Sequence, residues 1–177
     1  MKPNTQSDVA ALLAPWKGPY GGLPPLTGIS SAAIEDAMRA AIEFKRLEVQ
    51  SIASVSEPPT FKNTAEALED CGGALRSVQC VFQVYVNSLS LGDMPAVAQR
   101  IGPLLSALDD EIAHNENLFS RLNAVWDNRH QSDLSTEQQR LVEVLLNRMR
   151  RRGAGLAPAA KARLAEINAR LAALSSC

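Results

Sequence analysis

Aromatic side chains are scarce in this chain, at 5% of its residues. Any core must therefore be built mostly from Leu, Ala, Val and Ile. Charge of one sign is not in excess, with 18 Lys and Arg against 19 Asp and Glu. Such a balance sets up no general field for nucleic acid or an anionic membrane, and neither is expected as a partner. Histidine is confined to His114 and His130, which are far from the i, i+4 spacing that puts two metal-binding imidazoles on one helix face. Cysteine is limited to Cys71, Cys80 and Cys177. The odd count and the lack of a C-x-x-C pair speak for buried or surface thiols in a reducing compartment. No long apolar run exists. The stretch from Met1 to Pro15 has one lysine and a short apolar segment, too little for a secretory signal or for a span of about 20 apolar residues. Cytoplasmic residence is the expectation.

What remains is enough for a folded body. The chain has 177 residues, of which 46% are hydrophobic and 21% charged. That suits one domain, or a domain with an appended arm, and excludes compositional disorder. The first part is irregular in pattern. Trp16-Lys17-Gly18-Pro19-Tyr20-Gly21-Gly22-Leu23-Pro24-Pro25-Leu26 removes backbone donors at proline and invites positive φ at glycine. An extended arm over 1–29 is expected, laying Trp16, Tyr20 and Leu26 on another surface.

From Ser30 onward the period is helical. Ser30 or Ser31 can cap a helix to about Ser54, with Ile34, Met38, Ala41, Val49 and Ile52 mostly on one face. Glu57-Pro58-Pro59 stops it, and Thr60 can cap the next. The strongest stripe follows: Phe61, Thr64, Leu68, Cys71, Leu75, Val78, Phe82, Tyr85 and Leu89 recur at spacings of three and four. Because this register survives Gly72-Gly73, the spacing predicts one long helix, at most bent there. Asp93 and Pro95 open a third helix with stripe Val97, Ile101, Leu105, Leu108 and Ile112, and Pro103 should kink it. Asn115 can cap a fourth through Leu118, Phe119, Leu122, Val125 and Trp126. Ser135 with Gln138 resembles a capping box for a fifth, with Leu141, Leu145 and Met149 in line. Gly153-Ala154-Gly155 breaks it, and Pro158 opens a sixth through Ala160, Leu164, Ile167, Leu171 and Leu174. No segment alternates long enough to make a strand. Short linkers favour antiparallel neighbours.

Several stretches together resemble a known family. Leu13-Ala14-Pro15-Trp16 with Gly18-Pro19-Tyr20-Gly21-Gly22-Leu23-Pro24-Pro25 is similar to the start of bacterial peptidyl-dipeptidases. Glu57-Pro58-Pro59-Thr60-Phe61-Lys62-Asn63-Thr64, then Ala67-Leu68-Glu69 and Gly72, looks like that family's first long helix and its lead-in. Asn115-Glu116 with Leu118-Phe119-Ser120-Arg121 fits, as do Leu134-Ser135, Glu137 to Leu141, and Lys161 to Ser175. These stretches follow the family's order. The family comprises the zinc metallopeptidases of the peptidyl-dipeptidase, oligopeptidase A and thimet oligopeptidase type.

The resemblance implies an all-α fold: about six antiparallel helices over 30–177, forming the N-terminal helical lobe of an oligopeptidase, after the arm over 1–29. It implies a parent enzyme several times longer, with one zinc held by an H-E-x-x-H helix and a later glutamate. In such enzymes the N-terminal helices narrow a channel that restricts substrates to short peptides. Relatives continue beyond the point where this chain ends in Ser175-Ser176-Cys177, so a segment lacking its catalytic domain is expected.

No H-E-x-x-H can be drawn in this chain, and zinc hydrolysis needs three protein ligands with an open position. His114, near Asp109, Asp110, Glu111 and Glu116, could be drawn into a metal site, but a surface histidine at a helix C-terminus is the plainer reading. No nucleophile elbow, P-loop or dinucleotide fingerprint is present, and Gly72-Gly73 reads as close helix packing. Arg148, Arg150, Arg151 and Arg152 lie where cations complement a helix C-terminus, with pairing to acidic groups of a missing lobe as the alternative. Hence no catalytic, cofactor-binding or metal residue is assigned in this chain, and zinc is expected only in the absent domain. The expected partners are that domain, or a second copy of the chain through an exposed apolar face. The alternative is a stand-alone helical interaction module derived from the same segment.

Overall fold

The structure is a computed structural model that describes residues 5–17, 22–24, 26, 28–89, 93–157, 159–160, 163–164 and 167. Among them every regular element is helical, as an all-α fold requires. They are α1 (Thr5–Leu13), α2 (Ser31–Ala53), a π-helical turn (Phe61–Glu66), α3 (Ala67–Asp70), α4 (Gly73–Val84), a second π-helical turn (Tyr85–Leu89), α5 (Met94–Ala113), α6 (Glu116–Asp127) and α7 (Thr136–Arg151). Residues 159, 160, 163, 164 and 167 are also helical, as the sixth stripe predicts. Leu171 and Leu174 of that stripe lie outside the described residues. No helix among the described residues is long and apolar enough to cross a membrane.

The chain divides into two compact units, Met1–Ile52 with Ala67–Asp109, and Ala53–Glu66 with Asp110–Cys177. In the first, α2 buries Ile34, Met38, Ala41, Val49 and Ile52, the five residues of its stripe, together with Ala33, Ala37 and Ile42. The small side chains of Ala33, Ala37 and Ala41 fall on successive turns and permit close approach of a neighbour. Ser30 is the residue that caps α2, its Oγ accepting from the Ala33 amide at 3.2 Å. Ser31 instead donates its hydroxyl to Asp93, the residue just ahead of α5. Val97, Ile101 and Leu108 of the α5 stripe are buried, and the helix runs on through Pro103.

Two expectations for this unit need correction. The segment read as an extended arm begins with a helix, α1, whose Leu12 is fully buried. Between Pro3 and Pro15 there is no proline or glycine, and Ala10, Ala11 and Leu12 are good helix formers. Beyond α1, residues 14–17, 22–24 and 26 are non-helical, as expected; Tyr20 lies outside the described residues. The carbonyl of Leu26 accepts from the Tyr85 hydroxyl at 2.7 Å, which ties this stretch to the second π-helical turn. Burial pushes the Tyr85 phenol above its ordinary value.

The second correction concerns Gly72-Gly73. The long helix predicted over Phe61 to Leu89 is interrupted between Asp70 and Gly73, where Gly72 has φ +76°. A left-handed residue ends an α-helix. Neighbouring side chains satisfy the opened backbone. Glu48 Oε2 accepts from the Gly72 amide at 2.6 Å, and the Arg76 guanidinium donates to the carbonyls of Asp70 and Cys71 at 3.1 and 2.6 Å. A Cβ at Gly72 would come within 2.8 Å of Lys45 Cδ. Even so, the apolar register holds through the break: Cys71, Leu75, Val78, Phe82 and Tyr85 are all buried.

In the second unit, α6 and α7 pack on each other and on the turn Phe61–Glu66. Asn115 caps α6, its Oδ1 accepting from the Leu118 amide at 2.9 Å. The Ser135 and Gln138 capping box is complete in both directions, at 3.2 and 2.9 Å. Leu118, Leu122 and Val125 of α6 and Val142, Leu145, Leu146 and Met149 of α7 form the core. Gly153, at φ +98°, and Gly155, at φ +79°, turn the chain after α7.

Candidate functional site

Among the described residues, those that the sequence singles out for chemistry lie apart. His114 is exposed, and its Nε2 donates to the Arg152 carbonyl at 2.8 Å. A carbonyl oxygen only accepts, so this geometry requires the proton on Nε2. The ring therefore serves the carbonyl just past α7, with Asp110 facing the Arg152 guanidinium at 3.5 Å beside it. His130 is exposed in the turn after α6. No three His, Cys, Asp or Glu side chains gather as a metal set among the described residues. Cys71 is buried, Cys80 is exposed, and both are free thiols. The Cys71 thiol donates to the Leu68 carbonyl at 3.0 Å. Burial pushes its pKa up, which leaves it protonated and inert. Cys177 lies outside the described residues.

Among the described residues Arg121 is the one buried charged side chain. It lies on α6 between Leu118 and Leu122 and is 7% exposed. Its guanidinium reaches back to the connector between α2 and the first π-helical turn. Nη1 donates to the carbonyls of Val55 and Glu57 at 2.7 and 3.2 Å. Nη2 donates to Asn63 Oδ1 at 3.0 Å and to Thr64 Oγ1 at 3.3 Å. Nε is buried without a partner. Thr60 and Asn63 close the connector on themselves. The Thr60 amide donates to Asn63 Oδ1 at 2.8 Å, and the Asn63 amide to Thr60 Oγ1 at 3.1 Å. The Pro58 carbonyl takes the Asn63 side-chain amide at 3.0 Å. Two stretches of the family resemblance, Glu57 to Thr64 and Leu118 to Arg121, are thus one physical feature. The signal in the sequence was an arginine inside an apolar helical stripe.

A second polar cluster lies in the other unit. Glu35 takes both Arg39 and Arg100, with nearest distances of 2.7 and 2.5 Å. Hydrogen bonds from Arg100 first and Arg39 second hold its carboxyl at about 2, down from 4.5. A depressed carboxyl pKa adds stability that is complete above about pH 4.5 and is lost as pH falls through about 2. Both arginines are nearly half exposed, at 45% and 47%, so solvent screens the pairing. Glu35→Gln is expected to cost about 1 kcal/mol at neutral pH. Urea melts of the two proteins should differ at neutral pH and coincide near pH 2; an undiminished gap at the acid end would count against this pairing.

No family model matches the chain. Individual relatives do. Against the dipeptidyl carboxypeptidase of Salmonella typhimurium it is 33% identical over 153 residues, and the figures are the same for that of Escherichia coli. Each match covers 86% of this chain and 22% of the relative. Oligopeptidase A of Escherichia coli is 24% identical over 155 residues, covering 87% of the chain and 23% of that protein. The chain thus spans about a fifth of the length of the relatives it matches. The relatives are the ones that the Gly/Pro stretch, the Glu57 to Thr64 connector and the Leu118 to Arg121 turn of α6 point to. By sequence, most of this chain is homologous to a part of the dipeptidyl carboxypeptidases and of oligopeptidase A.

Proposed function

We propose that this chain is the N-terminal helical segment of a longer, cytoplasmic zinc peptidyl-dipeptidase. Its role is to form part of the wall of the channel that admits short peptides, and it breaks no peptide bond itself. The observation that carries this reading is the coverage of the match, 86% of this chain against 22% of a relative. Zinc hydrolysis needs paired imidazoles and a base for the bound water. The two histidines here are not spaced to supply them, so zinc and substrate peptides belong to the remainder of such an enzyme. The exposed pair Phe44 and Leu47, at 46% and 60%, lies three positions apart on α2. This supports an outer face that the larger protein covers.

The test is a chimera in which this chain replaces the matching segment of the Escherichia coli dipeptidyl carboxypeptidase. The expected product cleaves short peptides and still rejects long unfolded chains. A chimera that folds and cleaves short peptides, yet also degrades long chains freely, would refute the channel-wall role.

A further inference from the structure

The basic end of α7 takes no part in that reading. Arg140, Val144, Asn147, Arg148, Arg151 and Arg152 line a groove of about 430 Å³. Arg140, Val144, Asn147 or Arg148, and Arg151 follow one another at three- and four-residue steps on one face of α7, and Arg152 caps its end. No acidic residue is among these lining residues. Arg140 is paired outside the groove lining with Glu143 at 2.6 Å, and Arg152 with Asp110 at 3.5 Å. Both are surface pairs of small strength. Arg148 and Arg151 are exposed, and neither forms an ion pair among the described residues. Of the groove's four guanidiniums, those of Arg148 and Arg151 thus have no carboxylate partner among the described residues.

We propose that this face of α7 is a docking site for an acidic peptide segment. A planar guanidinium matches a carboxylate with two parallel hydrogen bonds. Arg148 and Arg151, three positions apart, put two such forks within one helical turn. Two carboxylates on neighbouring turns of a helix, or two residues apart in an extended strand, have a comparable spacing. Val144 supplies an apolar contact for the intervening chain, and the Asn147 amide can both donate to and accept from a peptide backbone. Nucleic acid suits the site poorly. No aromatic side chain lines the groove for a base to stack on, and the chain's net charge is −1.

The test uses the whole chain and fluorescein-labelled hexaglutamate, followed by anisotropy at low and physiological salt. Saturable binding that weakens with salt is expected. The double variant Arg148→Gln/Arg151→Gln should lower the affinity by about tenfold or more. Both side chains are exposed, so its helicity and melting should match the parent's. Arg129→Gln is the control, because Arg129 is stacked on Trp126 with its guanidinium 4.2 Å from the ring centre, and it should leave affinity unchanged. Absence of saturation would overturn the proposal, as would equal affinity of the double variant or an equal loss in Arg129→Gln. Binding of an oligothymidylate of the same charge at least as tightly would overturn it in favour of nucleic acid.

Discussion

Replacing Arg121 with methionine should destabilise the second unit by about 3 kcal/mol, the largest effect expected of any single polar substitution in the chain. Methionine keeps much of the aliphatic stem, so the loss reports the guanidinium rather than a large void. Four acceptors each lose a donor at once, the carbonyls of Val55 and Glu57, Asn63 Oδ1 and Thr64 Oγ1, although Asn63 Oδ1 keeps the Thr60 amide. Val55 and Glu57 are less buried than Thr64, so water can take over part of their demand. That keeps the expected cost below the sum of four charged hydrogen bonds. Arg121→Lys should recover little, because an ammonium carries no fork to span two carbonyls and a side-chain pair together. The chain has two tryptophans, Trp16 and Trp126, one in each unit. In a Trp16→Phe background, urea unfolding followed through Trp126 reports the second unit. The midpoint should fall with little change in slope. An unchanged midpoint would show that the four contacts carry no net stability.

Leu122→Ala should cost a similar amount by another route, about 2–5 kcal/mol. Leu122 is fully buried on α6, among Leu118 and Val125 of the same helix and facing a core that includes Leu146. The substitution removes the transfer energy of the lost carbons and leaves a cavity that rigid helices fill only partly. The two substitutions lie side by side on α6, so their effects should not add. The double variant should lose less than the sum if both act by loosening α6 from the turn Phe61–Glu66. Strict additivity would mean that the core and the clamp are energetically separate. The same Trp126-monitored urea series measures all three proteins.

Much of this fold is written in local pattern. The Ser135 and Gln138 box, the Asn115 cap and the apolar stripe of α2 each need only a few neighbouring residues, and each forms as the spacing predicts. The chain breaks at Glu57-Pro58-Pro59 and at Gly153-Ala154-Gly155 are equally local. What escaped the sequence depends on distant partners. The helix break at Gly72 is invisible to periodicity, because the stripe from Leu68 to Val78 continues through it. It becomes intelligible only when Glu48 is seen to take the Gly72 amide. The helix α1 is hard to see in the sequence because it is short and directly precedes a stretch rich in glycine and proline. Arg121 is a sharper case. Its position between Leu118 and Leu122 marks it as an inward-facing cation, but its acceptors lie about sixty positions earlier, at Val55, Glu57, Asn63 and Thr64. Glu35 and Arg100 are likewise separated by most of the first unit. The family itself was legible through an ordered set of stretches, not through any catalytic residue.

Met1 to Cys177 hold two histidines, His114 and His130, too far apart to grip a metal from one helix face, and the proposal that this segment turns over no peptide follows from that. The most direct measurement is the zinc content of the purified, washed chain, together with its release of dipeptides from short test peptides. The prediction is sub-stoichiometric zinc and no dipeptide release with zinc added back. One zinc per chain, accompanied by dipeptide release that chelation abolishes, would contradict it.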